Sequence, residues 1–209
     1  MKEVVQTPNK VADSQLYKII EYFSDMTQII QSIDLDKIDR AIDILYDAWL
    51  RDKQVFIIGN GGSASTATHF TCDLTKTTII EGKKRFKVIS LVDNVPLVSA
   101  LTNDEGFDKV FDEQLRAFIT TGDVLIAISV HGGSGKGNAD VWSQNLIRAI
   151  QSAKESGAKT IGLSGFDGGA MKDLADVCMV VPCESTPHVE SLHLAFEHLL
   201  CERLQSKIK

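Results

Sequence analysis

Apolar residues recur at helical spacing through the first quarter of the chain. Leu16, Ile19, Ile20, Phe23, Met26, Ile29 and Ile30 make one stripe, and Ile38, Ala41, Ile42, Leu45, Ala48 and Trp49 make a second. Steps of three and four residues put each set on one helix face. The stretch from about Val11 to Arg51 therefore predicts two amphipathic helices, broken at Ser32-Ile33-Asp34. Beyond it the pattern changes to short β-branched runs at Val55–Ile58, Val88–Val92, Val124–Ile128, Thr160–Leu163 and Val177–Val181. Helical patterns separate and follow them, from Ala64, over Phe107–Phe118, over Ala139–Glu155 and over His188–Leu204, with turn residues at Gly122-Asp123 and Ser156-Gly157. Strands alternating with helices predict an α/β fold, a five-stranded parallel sheet flanked by helices. The chain reads as one domain over 1–209, with an N-terminal helical pair over 1–52 and an α/β core over 53–209. The paired helices need an apolar surface to cover, on their own sheet or on another subunit.

Open parallel sheets bind ligands beyond the carboxyl ends of their strands. The first such loop is Gly59-Asn60-Gly61-Gly62-Ser63, between an apolar run and a helix. Its glycines permit positive φ and close backbone approach. Ser63 is expected to cap the helix and leave amides facing an anion. No Lys follows the glycines and the G-x-G-x-x-G spacing is absent, so neither nucleotide-binding fingerprint applies. Asn60, Gly61, Gly62 and Ser63 are thus a candidate phosphate cradle, with a plain strand-to-helix turn as the alternative. A second Gly- and Ser-rich loop runs from Ser129 to Asn138. Ser129 and Ser134 can donate hydroxyl hydrogen bonds to phosphate oxygens, His131 lies between them, and Lys136 either adds charge or is solvated. Asp93 and Asn94, at the end of the second strand, can face a sugar hydroxyl or close an Asx turn; Asn103, Asp104 and Asp167 carry the same choice.

Titratable groups gather on two helical stretches. His69 and Asp73 are four apart, which puts them on one face. The closing helix carries Glu190, His193, Glu197 and His198. Glu190 and His198 differ by eight positions, roughly 80° around a helix, so they can address one cleft. Glu190 and His193 are also neighbours on the helix surface, and spacing alone does not choose between the histidines. For either helix by itself, a solvated polar face explains the pattern.

The strand–GNGGS–helix unit followed by HF at 69–70, the Ile128-Ser129…Gly132…Ser134 loop, DNVP…NDEGF, LSGFDGG at 163–169 and a last helix with paired histidines resemble the sugar-isomerase (SIS) domain family. Within it, the chain is similar over nearly its whole length to the phosphoheptose isomerases. The resemblance implies a phosphosugar aldose–ketose isomerase acting on sedoheptulose 7-phosphate, assembled as a homotetramer. Such a reaction moves a proton between adjacent carbons through an enediol-type intermediate, and needs a base, an acid and something to offset negative charge on oxygen. Positions matching His69, Asp73, Glu190 and His198 form the family's active centre and hold zinc in some members, with Asp73 and His198 matching its proposed base and acid. A divalent metal polarises the oxygens. This chain has Asp73 where the isomerases carry Glu, and Glu190 where they carry Gln. The set still makes a reasonable N2O2 site for zinc, and the longer carboxylate on the closing helix makes Glu190 a second candidate base. His131 replaces a usual serine, and the loop over 134–144 is longer than is typical. The family also implies an alternative: non-catalytic SIS modules that sense phosphosugars or bind a protein such as the replication initiator.

The remaining features set limits. A net charge of −6 argues against non-specific nucleic-acid binding. No apolar run approaches the ~20 residues that span a bilayer, and MKEVVQTPNK lacks a signal core, so neither membrane nor nucleic acid is an expected partner and the cytoplasm is the expected compartment. Cys72, Cys178, Cys183 and Cys201 lack C-x-x-C spacing and read as free thiols. Lys83-Lys84-Arg85 reads as solvated surface.

Overall fold

The computed structural model describes residues 14–133 and 143–209. The chain divides into two compact units at Ile33/Asp34, each described by itself. The first contributes helix α1 (Gln15–Gln31), whose start is capped by the Ser14 side chain accepting from the Tyr17 amide. Its stripe is present as expected, but Leu16, Ile19, Ile20, Phe23 and Ile30 remain exposed on it.

The second unit is a parallel sheet with helices on both faces. Its elements are α2 (Leu35–Leu50), β1 (Gln54–Gly59), α3 (Gly62–Lys76), β2 (Lys87–Ser90), α4 (Val95–Asp104), a 3-10 turn (Phe107–Lys109), α5 (Val110–Arg116), β3 (Val124–Ser129), α6 (Gln144–Glu155), β4 (Lys159–Gly165), α7 (Gly169–Leu174), β5 (Val177–Val181) and α8 (Thr186–Ile208). Strand order is β2-β1-β3-β4-β5, all parallel. The five predicted strands are thus present. In register, Val55 lies beside Val124 and Ile57 beside Ile126. Alternate residues serve opposite faces. Phe56 and Ile58 join Leu125 and Ala127 in a core sealed by α5, α6 and α7, through residues such as Phe111, Leu146, Ile150 and Met171. Helices α2, α3 and α8 pack together on the other side. The α2 stripe reads from the sequence without error: Ile38, Ala41, Ile42, Leu45, Ala48 and Trp49 are its buried residues.

Two helices were not expected. Residues 95–104 form α4 rather than a loop and turn, capped by Asn94 Oδ1 accepting from the Leu97 amide at 3.2 Å. Residues 169–174 form the single-turn α7. The helix expected over Ala139–Glu155 starts at Gln144, with Ser143 as its N-cap at φ 54°; residues 139–142 lie outside the described ones. All four cysteines are free thiols. No helix among the described residues is long and apolar enough to cross a membrane.

Candidate active site

Both expected glycine loops sit at the carboxyl edge of the sheet, one after β1 and one after β3. In the first, Gly61 (φ 55°) is the N-cap of α3, with no side-chain cap. The expected capping role of Ser63 is therefore corrected. Ser63 lies inside the first turn, buried, with its amide bonded to the Asn60 carbonyl at 3.0 Å. The chain turns so tightly that a Cβ on Gly59 would stand 2.4 Å from the Ser63 carbonyl oxygen, which only glycine avoids. Asn60 and Asn145 exchange paired amide hydrogen bonds at 3.0 and 2.9 Å, tying this loop to the start of α6. Sequence reading missed Asn145, a buried residue just beyond the second glycine loop.

In the second loop, Ser129 is buried at the end of β3 and its carbonyl accepts from the Gly132 amide. Gly132 (φ 65°) is held by Met171, whose amide donates to the Gly132 carbonyl at 2.9 Å. The His131 ring lies 4.4 Å from that of Phe166, itself at φ 55° in the loop after β4. Ser134 falls outside the described residues. Asp93 is engaged by the Thr68 hydroxyl at 2.7 Å, which joins the end of β2 to α3. The Asn94 oxygen caps α4, and Asp167 accepts from the Gly169 amide, so both do Asx-type work.

The titratable cluster lies between α3 and α8. Both helices start at the carboxyl edge, and Glu190 stands level with Gly62, where a Cβ on that glycine would come 2.3 Å from Glu190 Oε1. Roughly two turns further along, His69, Asp73, Glu197 and His198 meet, with one ligand atom from each within 4.8 Å of all the others. His198 Nε2 is 3.5 Å from Asp73 Oδ2 and 3.4 Å from Glu197 Oε1. His69 turns Nε2 to Asp73 Oδ2 and Nδ1 to Glu197 Oε1, at 3.7 Å each. The structure thus brings together three of the four donors expected from the sequence and supplies Glu197 as the fourth. Glu190 is not among them. Eight residues advance a helix by about 12 Å, so a favourable angle around the axis does not bring Glu190 and His198 to one point.

Glu197 is the unusual member. It is 0% exposed, and neither carboxylate oxygen has a hydrogen-bond donor among the described residues. Burial, and then the charge of Asp73, push its carboxyl up to about 8. Burial pushes the neighbouring Cys201 thiol up to about 12, and Glu197 and Asp73 add to the shift. Both shifts report a pocket with negative potential and little solvation. A buried carboxylate without donors is costly unless a cation or a proton meets it. Two imidazoles and two carboxylates converging on one point therefore fit a divalent cation. The imidazoles are half exposed, so the cluster opens to solvent. On that side lies a pocket of about 250 Å³ lined by Asp73, Thr77, His198, Cys201, Glu202 and Gln205. His193, by contrast, is buried in the core: it is 1% exposed, and neither ring nitrogen has a well-formed hydrogen bond among the described residues.

Comparison with known proteins bears on this arrangement. The SIS domain family model matches residues 21–165. The chain is 42% identical over 182 residues to the lincomycin biosynthesis protein LmbN of Streptomyces lincolnensis, covering 85% of this chain and 65% of that relative's length. It is 34% identical over 183 residues to a phosphoheptose isomerase of Aliarcobacter butzleri, covering 88% of this chain and 91% of the relative. The solved structure of phosphoheptose isomerase GmhA from Neisseria gonorrhoeae superposes with a TM-score of 0.80 at 28% identity, covering 92% of this chain and 100% of that one.

Proposed function

The chain belongs to the SIS domain family, and we propose that it is a phosphosugar aldose–ketose isomerase interconverting sedoheptulose 7-phosphate and an aldoheptose 7-phosphate. The observation that carries the reading is the pairing of Asp73 with His198, 3.5 Å apart, below two glycine loops that suit a phosphate. From Gly62 to His69 is seven residues, or about 10 Å along the helix. An extended seven-carbon phosphosugar spans roughly the same distance from C1 to phosphorus, from ordinary bond lengths. Its phosphate would meet the loops while its reacting carbons meet the cluster.

In this reading Asn60, Gly61, Gly62, Ser63, Ser129, His131 and Ser134 serve the phosphate end, and Asp93 and Asn94 border the sugar chain. Asp73 is the base. It turns Oδ2 to both imidazoles and keeps a second oxygen to take the proton from the carbon beside the carbonyl. His198 serves the neighbouring oxygen. Glu190, about two turns away beside Gly62, is too far from His198 to work on an adjacent carbon. His69, Asp73 and His198 are also proposed zinc ligands. Bound there, zinc would polarise the carbonyl and hydroxyl oxygens and offset the charge of the enediolate. A charged phosphosugar does not cross apolar lipid unaided, so the cytoplasm is the proposed site of action.

Purified protein is expected to consume sedoheptulose 7-phosphate and, in D2O, to leave deuterium on the aldose at C2. Ser129→Ala and His131→Ala should each raise KM about tenfold with kcat nearly held, because phosphate contacts are remote from the reacting carbons. Absence of both turnover and deuterium exchange, with or without zinc, would favour a non-catalytic phosphosugar-binding module.

A homotetramer is part of the same proposal. The exposed apolar stripe of α1, Leu16, Ile19, Ile20, Phe23 and Ile30, is what an inter-subunit helix contact needs. Light scattering should give about four times the 22.9 kDa chain mass. A stable monomer at micromolar concentration would remove this part of the reading.

A further inference from the structure

We infer that Glu197 is a direct metal ligand of this chain, so that the centre is a four-coordinate site of two imidazoles and two carboxylates: His69, Asp73, Glu197 and His198. This rests on the metal-assisted reading above and goes beyond it by assigning the fourth donor.

The distances carry the assignment. A tetrahedral ion with ligand bonds of about 2.0–2.1 Å holds its donor atoms roughly 3.4 Å from one another. Glu197 Oε1 and Asp73 Oδ2 stand 3.4 and 3.5 Å from the same nitrogen, His198 Nε2. Of the two His69 nitrogens, Nε2 lies 3.7 Å from Asp73 Oδ2 and Nδ1 lies 3.7 Å from Glu197 Oε1, and a single nitrogen of that ring would join the set, with one ligand atom from each residue within 4.8 Å of the others. The two separations at His198 Nε2 are too long for hydrogen bonds, which close at about 2.7–3.2 Å, and match the edge of a coordination tetrahedron. The other role open to such a carboxylate is to orient a ligating imidazole by accepting its far N–H. That role requires hydrogen-bond contact with the ring nitrogen turned away from the metal. Glu197 faces His69 Nδ1 while Asp73 faces Nε2, but at 3.7 Å that approach is too long for such a hydrogen bond, and its shortest contact, 3.4 Å, is with the nitrogen of His198 that also faces Asp73.

Burial supplies an independent argument. Glu197 is fully enclosed, both of its oxygens lack donors among the described residues, and it is aimed between two half-exposed histidines. A cation between these four side chains is the partner that orphaned carboxylate lacks. The placement also answers the short reach of Asp73: a carboxylate from the facing helix completes the set. With neutral imidazoles, the two carboxylates balance a divalent ion, giving an uncharged centre.

Zinc titration of the metal-stripped protein, paired with absorption spectra of the cobalt(II) form, tests the assignment. The wild type should show the intense visible bands of four-coordinate cobalt. Glu197→Ala should weaken zinc binding by at least about a hundredfold, more than loss of an orienting contact costs, and should change the cobalt spectrum. The nearly isosteric Glu197→Gln, which keeps the shape of the buried side chain, should also shift the bands because an amide replaces a carboxylate. Glu190→Gln should change neither zinc affinity nor spectrum. An unchanged cobalt spectrum in both Glu197 variants, whatever their affinity, overturns the assignment and leaves metal binding by the other three residues standing. A wild type that takes up neither metal overturns the metal reading itself, and this inference with it.

Discussion

Stripping the protein of metal with a chelator is expected to lower kcat by about a thousandfold, and zinc should restore it; His198→Ala should cause a similar loss that zinc does not restore. The expectation follows from the convergence of His69, Asp73, Glu197 and His198 on one point. The Asp73 carboxylate raises the cost of adding the negative charge of an enediolate beside it. Glu197, buried and with its carboxyl pushed up to about 8, holds a proton at neutral pH unless a cation meets it. A cation removes the penalty and polarises the substrate oxygens, whereas the stripped site has to rely on proton exchange alone. Elemental analysis of the stripped protein, with steady-state rates before and after zinc, checks the result. Full activity in protein shown to hold no metal would leave Asp73 and His198 as a plain acid–base pair and end the metal reading. Full activity in His198→Ala would remove His198 from both roles.

Acid should destabilise the protein through His193. The ring is buried on the core side of α8, and burial lowers its pKa from 6.5 to about 4, opposed in small part by the Ser164 backbone. A histidine depressed in the folded state binds fewer protons there than in the unfolded chain between these values. Its contribution to stability is therefore fully present above about pH 6.5 and is lost as pH falls toward 4. A shift of this size corresponds to roughly 3 kcal/mol across that window. Urea denaturation of metal-free protein at pH 7 and near pH 4 should show the loss, and His193→Leu should lack that share of it. Equal pH dependence in the two proteins would mean that His193 is not the buried neutral group described.

The family and the sheet were legible in the chain because each rests on local pattern. The β-branched runs specified the five strands, and the glycine loops followed two of them as turn chemistry requires. Two of the clustered residues, His69 and Asp73, were recognisable because they lie four apart on one helix, and His198 because it matches the family's pattern on the closing helix. Where the local pattern was thin, the reading failed. Helix α4 buries none of its residues and α7 is six residues long, opening on glycine, so neither shows an amphipathic stripe long enough to read. Ser63 had the chemistry of a cap, but the backbone turned one step earlier, at Gly61, which can take φ 55°.

The fourth donor shows the division most clearly. Sequence by itself determined which residues can ligate and on which helix face each stands, because angular position follows from 3.6 residues per turn. It put forward Glu190, and named Glu197 only as one more polar residue of the closing helix. The tertiary structure brings Glu197 rather than Glu190 to the cluster, because which one arrives depends on how far α8 is advanced along α3. That axial register is set by packing at places such as the close approach of Glu190 to Gly62, which carries no signature in the spacing of residues along either helix. With Glu190 level with the first glycine loop, His198 and Glu197 come level with His69 and Asp73, and a buried glutamate that reads as one more polar residue becomes part of the centre.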